Sequence, residues 1–129
     1  MFFGETAKDA IRRTLHTRGD HDQQVATLEE WIAHDRAEME RIDAEQRRLL
    51  EEMRAASAAM VEHHRSAALF PARAKMLAKE IAEQQAIQDE AARCYALSRG
   101  TEDACRERLA VYAELQAEAV YAELQAEMG

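Results

Sequence analysis

From Val25 to His63, seam residues return every three and then every four positions without a slip. One series is Val25, Ile32, Met39, Gln46, Met53 and Met60; the other is Leu28, Asp35, Ile42, Leu49, Ala56 and His63. All but Gln46, Asp35 and His63 are apolar, and the positions between them are mostly Glu, Arg, Gln and Ala. A 3.5-residue period held this long specifies a supercoiled helix with a narrow apolar seam. At about 1.5 Å per residue, residues 21–65 would run roughly 65 Å. The rest of the chain must supply a partner for that seam or leave it to another copy.

Composition agrees with the pattern. Ala is the commonest residue and, with Glu, Lys, Leu and Arg, fills more than half of the 129 positions, as in coiled coils and long helices. Leu, Ile, Val and Phe together make less than a fifth. A strand core, which needs β-branched and aromatic residues, is not expected.

Punctuation divides the helices. Thr6 followed by Asp9 reads as a capping box with Asp in place of Glu, and Ala7, Ala10, Ile11 and Leu15 then share a helical face. Gly19 is the expected stop, so residues 1–19 form a short N-terminal helical segment. Asp20 with Gln23 three residues later opens the long helix. The stretch from His64 to Pro71 marks the reversal, a turn over about 64–72, with Pro71 starting the next helix and Leu69 and Phe70 packing across the turn. The returning seam is Leu77, Ile81, Gln84, Gln88, Ala91, Tyr95 and Ser98, continued by Glu102, Cys105, Leu109, Tyr112, Gln116 and Ala119. Gly100-Thr101 reads either as a stop and a new cap or as a bend in one long helix, since the spacing survives it. The expected fold is therefore all-α: a long antiparallel helical hairpin over 20–129, a two-helix coiled coil, preceded by the short helix.

The C-terminus repeats itself. Val111-Tyr112-Ala113-Glu114-Leu115-Gln116-Ala117-Glu118-Ala119 recurs as Val120-Tyr121-Ala122-Glu123-Leu124-Gln125-Ala126-Glu127-Met128, with one change. Nine residues at 100° each turn a helix by half a revolution, so one seam cannot bury both copies. The repeat is either a duplication that lengthens a tail or a two-sided helix end that meets a partner.

No arrangement of residues names a reaction. The residues three before each His are Arg13, Arg18, Trp31, Met60 and Val61, so the Glu-x-x-His of di-iron bundles is missing. Zinc-ligand spacing is missing too, and no catalytic, metal or cofactor-binding residue is assigned. Arg18-Gly19-Asp20 matches an adhesion tripeptide but reads more simply as a stop beside a cap. A net charge of −8, from 17 basic and 25 acidic residues, argues against nucleic acid as partner. No apolar run reaches the length of a membrane span, so no membrane insertion is expected. Met1-Phe2-Phe3-Gly4-Glu5 lacks the start of a signal peptide, and Cys94 and Cys105, roughly 16 Å apart on one helix, cannot bridge. These readings place the chain in the cytoplasm.

Charge and aromatic residues supply the candidate protein contacts. Between His63 and Lys79 stand Arg65, Arg73, Lys75 and Lys79 and no acid, whereas from Leu109 onward stand Glu114, Glu118, Glu123 and Glu127 and no base. A hairpin would carry a basic tip and an acidic tail, each for a different partner. Trp31 flanks the seam as an interface anchor or packs across its edge, and Tyr112 and Tyr121 are the aromatic members of the repeat. Asp35 and Gln46 on the seam either fix register or lie where the seam is open; for Asp35 the open reading is preferred.

In size, charge and architecture over residues 21–128, the chain resembles the FliJ/YscO-type coiled-coil stalk proteins of flagellar and type III secretion ATPases. That resemblance implies a non-enzymatic adaptor in protein transport, with a hexameric ATPase and an export gate as partners. The alternative is a self-associating structural or regulatory helical protein, a homo-oligomer of phage or plasmid accessory type. A third reading is a helical enzyme, because Arg41-Ile42-Asp43 with Leu49-Leu50 resembles the first helix of the all-helical chorismate mutases. Met39 and Ala56 stand where that family places substrate-clamping arginines.

Overall fold

Capping decides where the helices begin. The computed structural model describes residues 5–129, so Met1–Gly4 of the expected N-terminal segment lie outside it. It contains α1 (Ala7–His16), α2 (His21–Leu69), one turn of 3-10 helix (Pro71–Arg73) and α3 (Ala74–Met128). The Thr6 hydroxyl accepts the Asp9 N–H at 3.1 Å and opens α1. Between α1 and α2, Gly19 has φ 111°. Side chains rarely adopt that backbone region, so the turn requires glycine; a Cβ there would also displace the Gln23 side-chain oxygen, 1.9 Å away. That oxygen accepts the Asp20 N–H at 2.8 Å while Asp20 Oδ1 accepts the Gln23 N–H at 2.9 Å, a reciprocal box that starts α2.

The fold is the expected all-α hairpin, with α2 and α3 packed against each other. Two local expectations need correction. The reversal is tighter than a turn over 64–72, because α2 continues to Leu69. Phe70 alone breaks it, with a non-helical backbone (φ −128°, ψ 76°), since the following proline disfavours the helical region there. Leu69 and Phe70 do not pack across the turn; they are 67 % and 53 % exposed. At Gly100 the helix is continuous. The glycine sits on the outer face with nothing near its missing side chain, while Ser98, Glu102 and Cys105 keep the seam on the inner face.

The chain divides into two compact units: residues 5–40 with 103–129, and residues 41–102. In the second, Ile42, Leu49 and Ala56 of α2 and Leu77 and Ala91 of α3 are buried, while Arg41 and Arg48 face water. Polar seam positions are paired across it: Gln46 donates to Glu102 at 3.3 Å and Gln88 to Ser57 at 2.7 Å. His63 lies 3.3 Å from Glu80. In the first unit α1 adds a third helix, and Leu15, Leu28, Ile32, Tyr112 and Leu115 form one buried cluster.

Leu49→Ala should lower unfolding stability by about 2–3 kcal/mol, the low end for a buried leucine because two helices enclose it incompletely. Arg48→Ala, at an exposed pair, should stay within about 0.5 kcal/mol. Urea denaturation checks both, and equal effects would mean the register is wrong. Gly100→Ala should raise stability by about 0.5–1 kcal/mol in the same assay, since a helix-interior glycine on an open face only adds unfolded-state freedom.

Candidate functional site

The segment around the reversal carries exposed basic residues and exposed apolar ones. Arg65, Arg73, Lys75 and Lys79 are all exposed. Arg65 pairs with Glu62 at 2.9 Å; among the described residues, Arg73, Lys75 and Lys79 make no ion pair. Leu69 and Phe70, with Met76 at 49 % exposure, stand among these cations. The cause is local. One residue of non-helical chain reverses the direction, so nothing folds back over the helix ends.

At the other unit the candidates divide. Trp31 is half-buried. Its ring meets Tyr112 at 5.7 Å between centroids, and the Arg18 guanidinium lies 5.9 Å above it, within cation–π range. Tyr112 is buried. Trp31 packs against the cluster that contains Tyr112, and both line an open groove of about 250 Å³ with Ala10, Ile11 and Thr14 of α1. Tyr121, by contrast, is 64 % exposed.

Asp35 is buried, at 3 % exposure, which corrects the reading of an open seam at this level. Arg108 Nε donates to its Oδ2 at 2.9 Å, and His34 Nδ1 lies 3.2 Å from Oδ1. The Cys105 thiol, fully buried, donates to the Asp35 carbonyl at 3.3 Å. Burial pushes the Asp35 carboxyl up, but hydrogen bonding with Arg108 and His34 outweighs it and holds the group below its ordinary range. Burial and the neighbouring Asp35 charge push the Cys105 thiol up, which leaves it protonated and unreactive. Arg108 flanks the returning seam and is 73 residues from Asp35. The one signal available was a lone acid on one seam with an arginine beside the other.

The acidic tail is partly neutralised from within. Lys8 reaches Glu114 at 3.0 Å and Glu118 at 3.1 Å, and Arg12 reaches Glu118 at 2.9 Å. His21 lies 2.8 Å from Glu123. The first repeat copy buries Tyr112 and Leu115, whereas the second exposes Val120, Tyr121, Leu124 and Met128. Residues 120–129 are exposed on every face of the helix, so the second copy stands open beyond what the half-revolution between the copies requires.

Open grooves line this unit. One of about 340 Å³ lies between the start of α2, at Val25 and Leu28, and the tail, at Ala119 and Val120. Among the described residues no three His, Cys, Asp or Glu side chains gather as a metal site, and no helix is long and apolar enough to cross a membrane. Comparison with protein families, with curated proteins and with solved structures finds no match to this chain.

A group whose folded pKa lies below its unfolded value stabilises above the unfolded pKa and loses that contribution as pH falls. Asp35 should therefore contribute fully above about pH 5 and progressively less through its unfolded value near 3.9. Asp35→Asn should cost about 1–2 kcal/mol at pH 7, because Arg108 is half-exposed and regains water. It should also flatten the acid limb of a stability-against-pH curve. A limb parallel to the parent's would show that the pair contributes nothing.

Proposed function

We propose that this protein is a non-enzymatic coiled-coil adaptor or stalk, working through protein contacts at the hairpin tip and at the C-terminal tail. The observation that carries this reading is the tip. Leu69, Phe70 and Met76 stand exposed among Arg65, Arg73, Lys75 and Lys79. Large apolar side chains gathered on a surface and rimmed by charge mark a contact site. The cations add selectivity for an acidic partner and speed its encounter. The tail differs in sign and in its apolar residues, which supports a second, different partner.

A stalk of the FliJ/YscO type, set against a secretion ATPase, is the specific form of this proposal, with cytoplasmic location as its corollary. The tip and the tail lie in different compact units, each with its own contact surface. The hairpin's seam is one layer of side chains thick, and the grooves on it are open, which favours display over enclosure of a substrate.

The test is quantitative affinity capture with the full-length protein, with Arg73→Glu/Lys75→Glu, and with a chain ending at Glu118. Charge reversal at the tip should remove one partner and shortening the tail another, with circular dichroism unchanged for the tip variant. Retention of every partner by both variants overturns the adaptor reading. Turnover of a small molecule by the purified protein overturns it too. Light scattering should give a single-chain mass at micromolar concentration; a stable dimer would favour the self-associating alternative.

A further inference from the structure

The two copies of the repeat are identical over eight residues, but only the first is occupied. Along α3 the first copy presents Val111, Glu114, Leu115 and Glu118, spaced i, i+3, i+4 and i+7, to α1. Leu115 shares the buried cluster with Leu15, and Ile11 and Val111 pack against it. Glu114 and Glu118 take Lys8, and Glu118 takes Arg12. The α1 residues that fit this face, Lys8, Ile11, Arg12 and Leu15, carry the same i, i+3, i+4, i+7 spacing. The contact is thus a small amphipathic helix whose cations sit over two glutamates and whose apolar pair joins a cluster with Val111 and Leu115 of the repeat and Leu28, Trp31 and Ile32 of α2.

In the second copy the corresponding residues are Val120, Glu123, Leu124 and Glu127. Both copies lie in one uninterrupted α-helix, so the four side chains stand in the same mutual arrangement. Val120 is 54 % and Leu124 51 % exposed, against 3 % for Leu115 in the first copy. Glu127 is exposed. Glu123 lies 2.8 Å from His21, both about half open to water, and borders the groove at Val25 and Leu28. The half-revolution between copies turns this face away from the surface that α1 covers.

We propose that the Val120–Glu127 face is a docking site for a short cationic amphipathic helix of a partner protein, with Lys or Arg at i and i+4 and apolar residues at i+3 and i+7. The molecule itself shows which ligand the motif accepts, because α1 is that ligand on the first copy. Charge complementarity and the unburied Val–Leu pair carry the assignment to the second. This deepens the adaptor reading and rests on it, by naming the chemistry of the tail's partner.

The probe is a fluorescent peptide of residues 5–18, added to the full-length protein at low salt and followed by anisotropy. Binding should saturate, weaken on adding salt, and fall about tenfold or more in Glu123→Lys/Glu127→Lys, where attraction becomes repulsion. Leu124→Ala should weaken it as well. A peptide carrying Lys8→Glu and Arg12→Glu should recover binding to the charge-reversed protein, a rescue that general destabilisation cannot produce. Several outcomes overturn the proposal: no binding, binding unchanged in the Glu123/Glu127 variant, or binding lost instead in Glu114→Lys/Glu118→Lys, which would mean displacement of α1 from the first copy. Self-association that disappears in the Glu123/Glu127 variant would also overturn it, since a second copy would then hold the face. Loss of a captured partner on ending the chain at Glu118, together with failure of the peptide, would leave the adaptor reading standing and this inference refuted.

Discussion

A seam one side chain thick makes a buried polar group costly unless it is paired, and this constraint shapes the hairpin. Each level is filled by residues from α2 and α3 alone wherever α1 is absent. A buried charge there needs its partner directly across, while half-buried polar positions can also turn to water. Gln46 finds Glu102, Gln88 finds Ser57, and Asp35 finds Arg108 with Cys105 beneath it. Leucine-like residues alone would tolerate sliding by a heptad, because one apolar layer resembles the next. The Asp35 level does not tolerate it, since a shifted α3 would leave a buried carboxylate without its guanidinium. Specificity of pairing thus rests on polar residues and stability on apolar ones.

α1 uses a different logic. It is ten residues long, too short to be helical alone in water, and it forms because the hairpin offers a face for it. Its cap at Thr6 fixes one end and Gly19 turns the chain at the other. Between them Leu15 enters the common cluster while Lys8 and Arg12 close over Glu114 and Glu118. The resulting hydrogen bonds hold Lys8 above its usual range and Glu118 below. The third helix thickens one unit, and there the aromatic residues gather.

Helix starts and the seam were legible because both follow from local rules. Thr6 with Asp9, Asp20 with Gln23, and Pro71 are punctuation that acts within a turn of chain. The residues assigned to the seam of α2, from Val25 to His63, are all buried or half-buried. What could not be read involved contacts between distant segments. Arg108 looks like any flanking arginine until α2 brings Asp35 beside it. Leu115 and Val111 lie off the hairpin seam, so only the position of α1 reveals why they are apolar. Leu69 and Phe70 seemed able to fold inward because the number of residues in the reversal was not fixed; with Phe70 alone outside the helices, they cannot. The basic tip and acidic tail were visible as charge runs, but the internal neutralisation of Glu114 and Glu118 required the placement of α1.

The contact between Arg12 and Glu118 spans 106 residues, and that separation sets a clock. At ordinary elongation rates of about 5–20 residues per second, α1 waits on the order of 5–20 s for the helix that will hold it. The reversal at Phe70 closes early, because its contacts are local, and the two long helices can zip away from it as α3 lengthens. Throughout that interval Leu15, Leu28 and Trp31 have no cover, and they gain it together when residues 109–118 arrive. The N-terminal unit is therefore a timed element: its apolar cluster cannot close until residues 109–118 have been made. A ribosome that stalls short of Glu118 releases a hairpin with a finished tip and an open end, a state that quality control can recognise by exposed tryptophan and leucine.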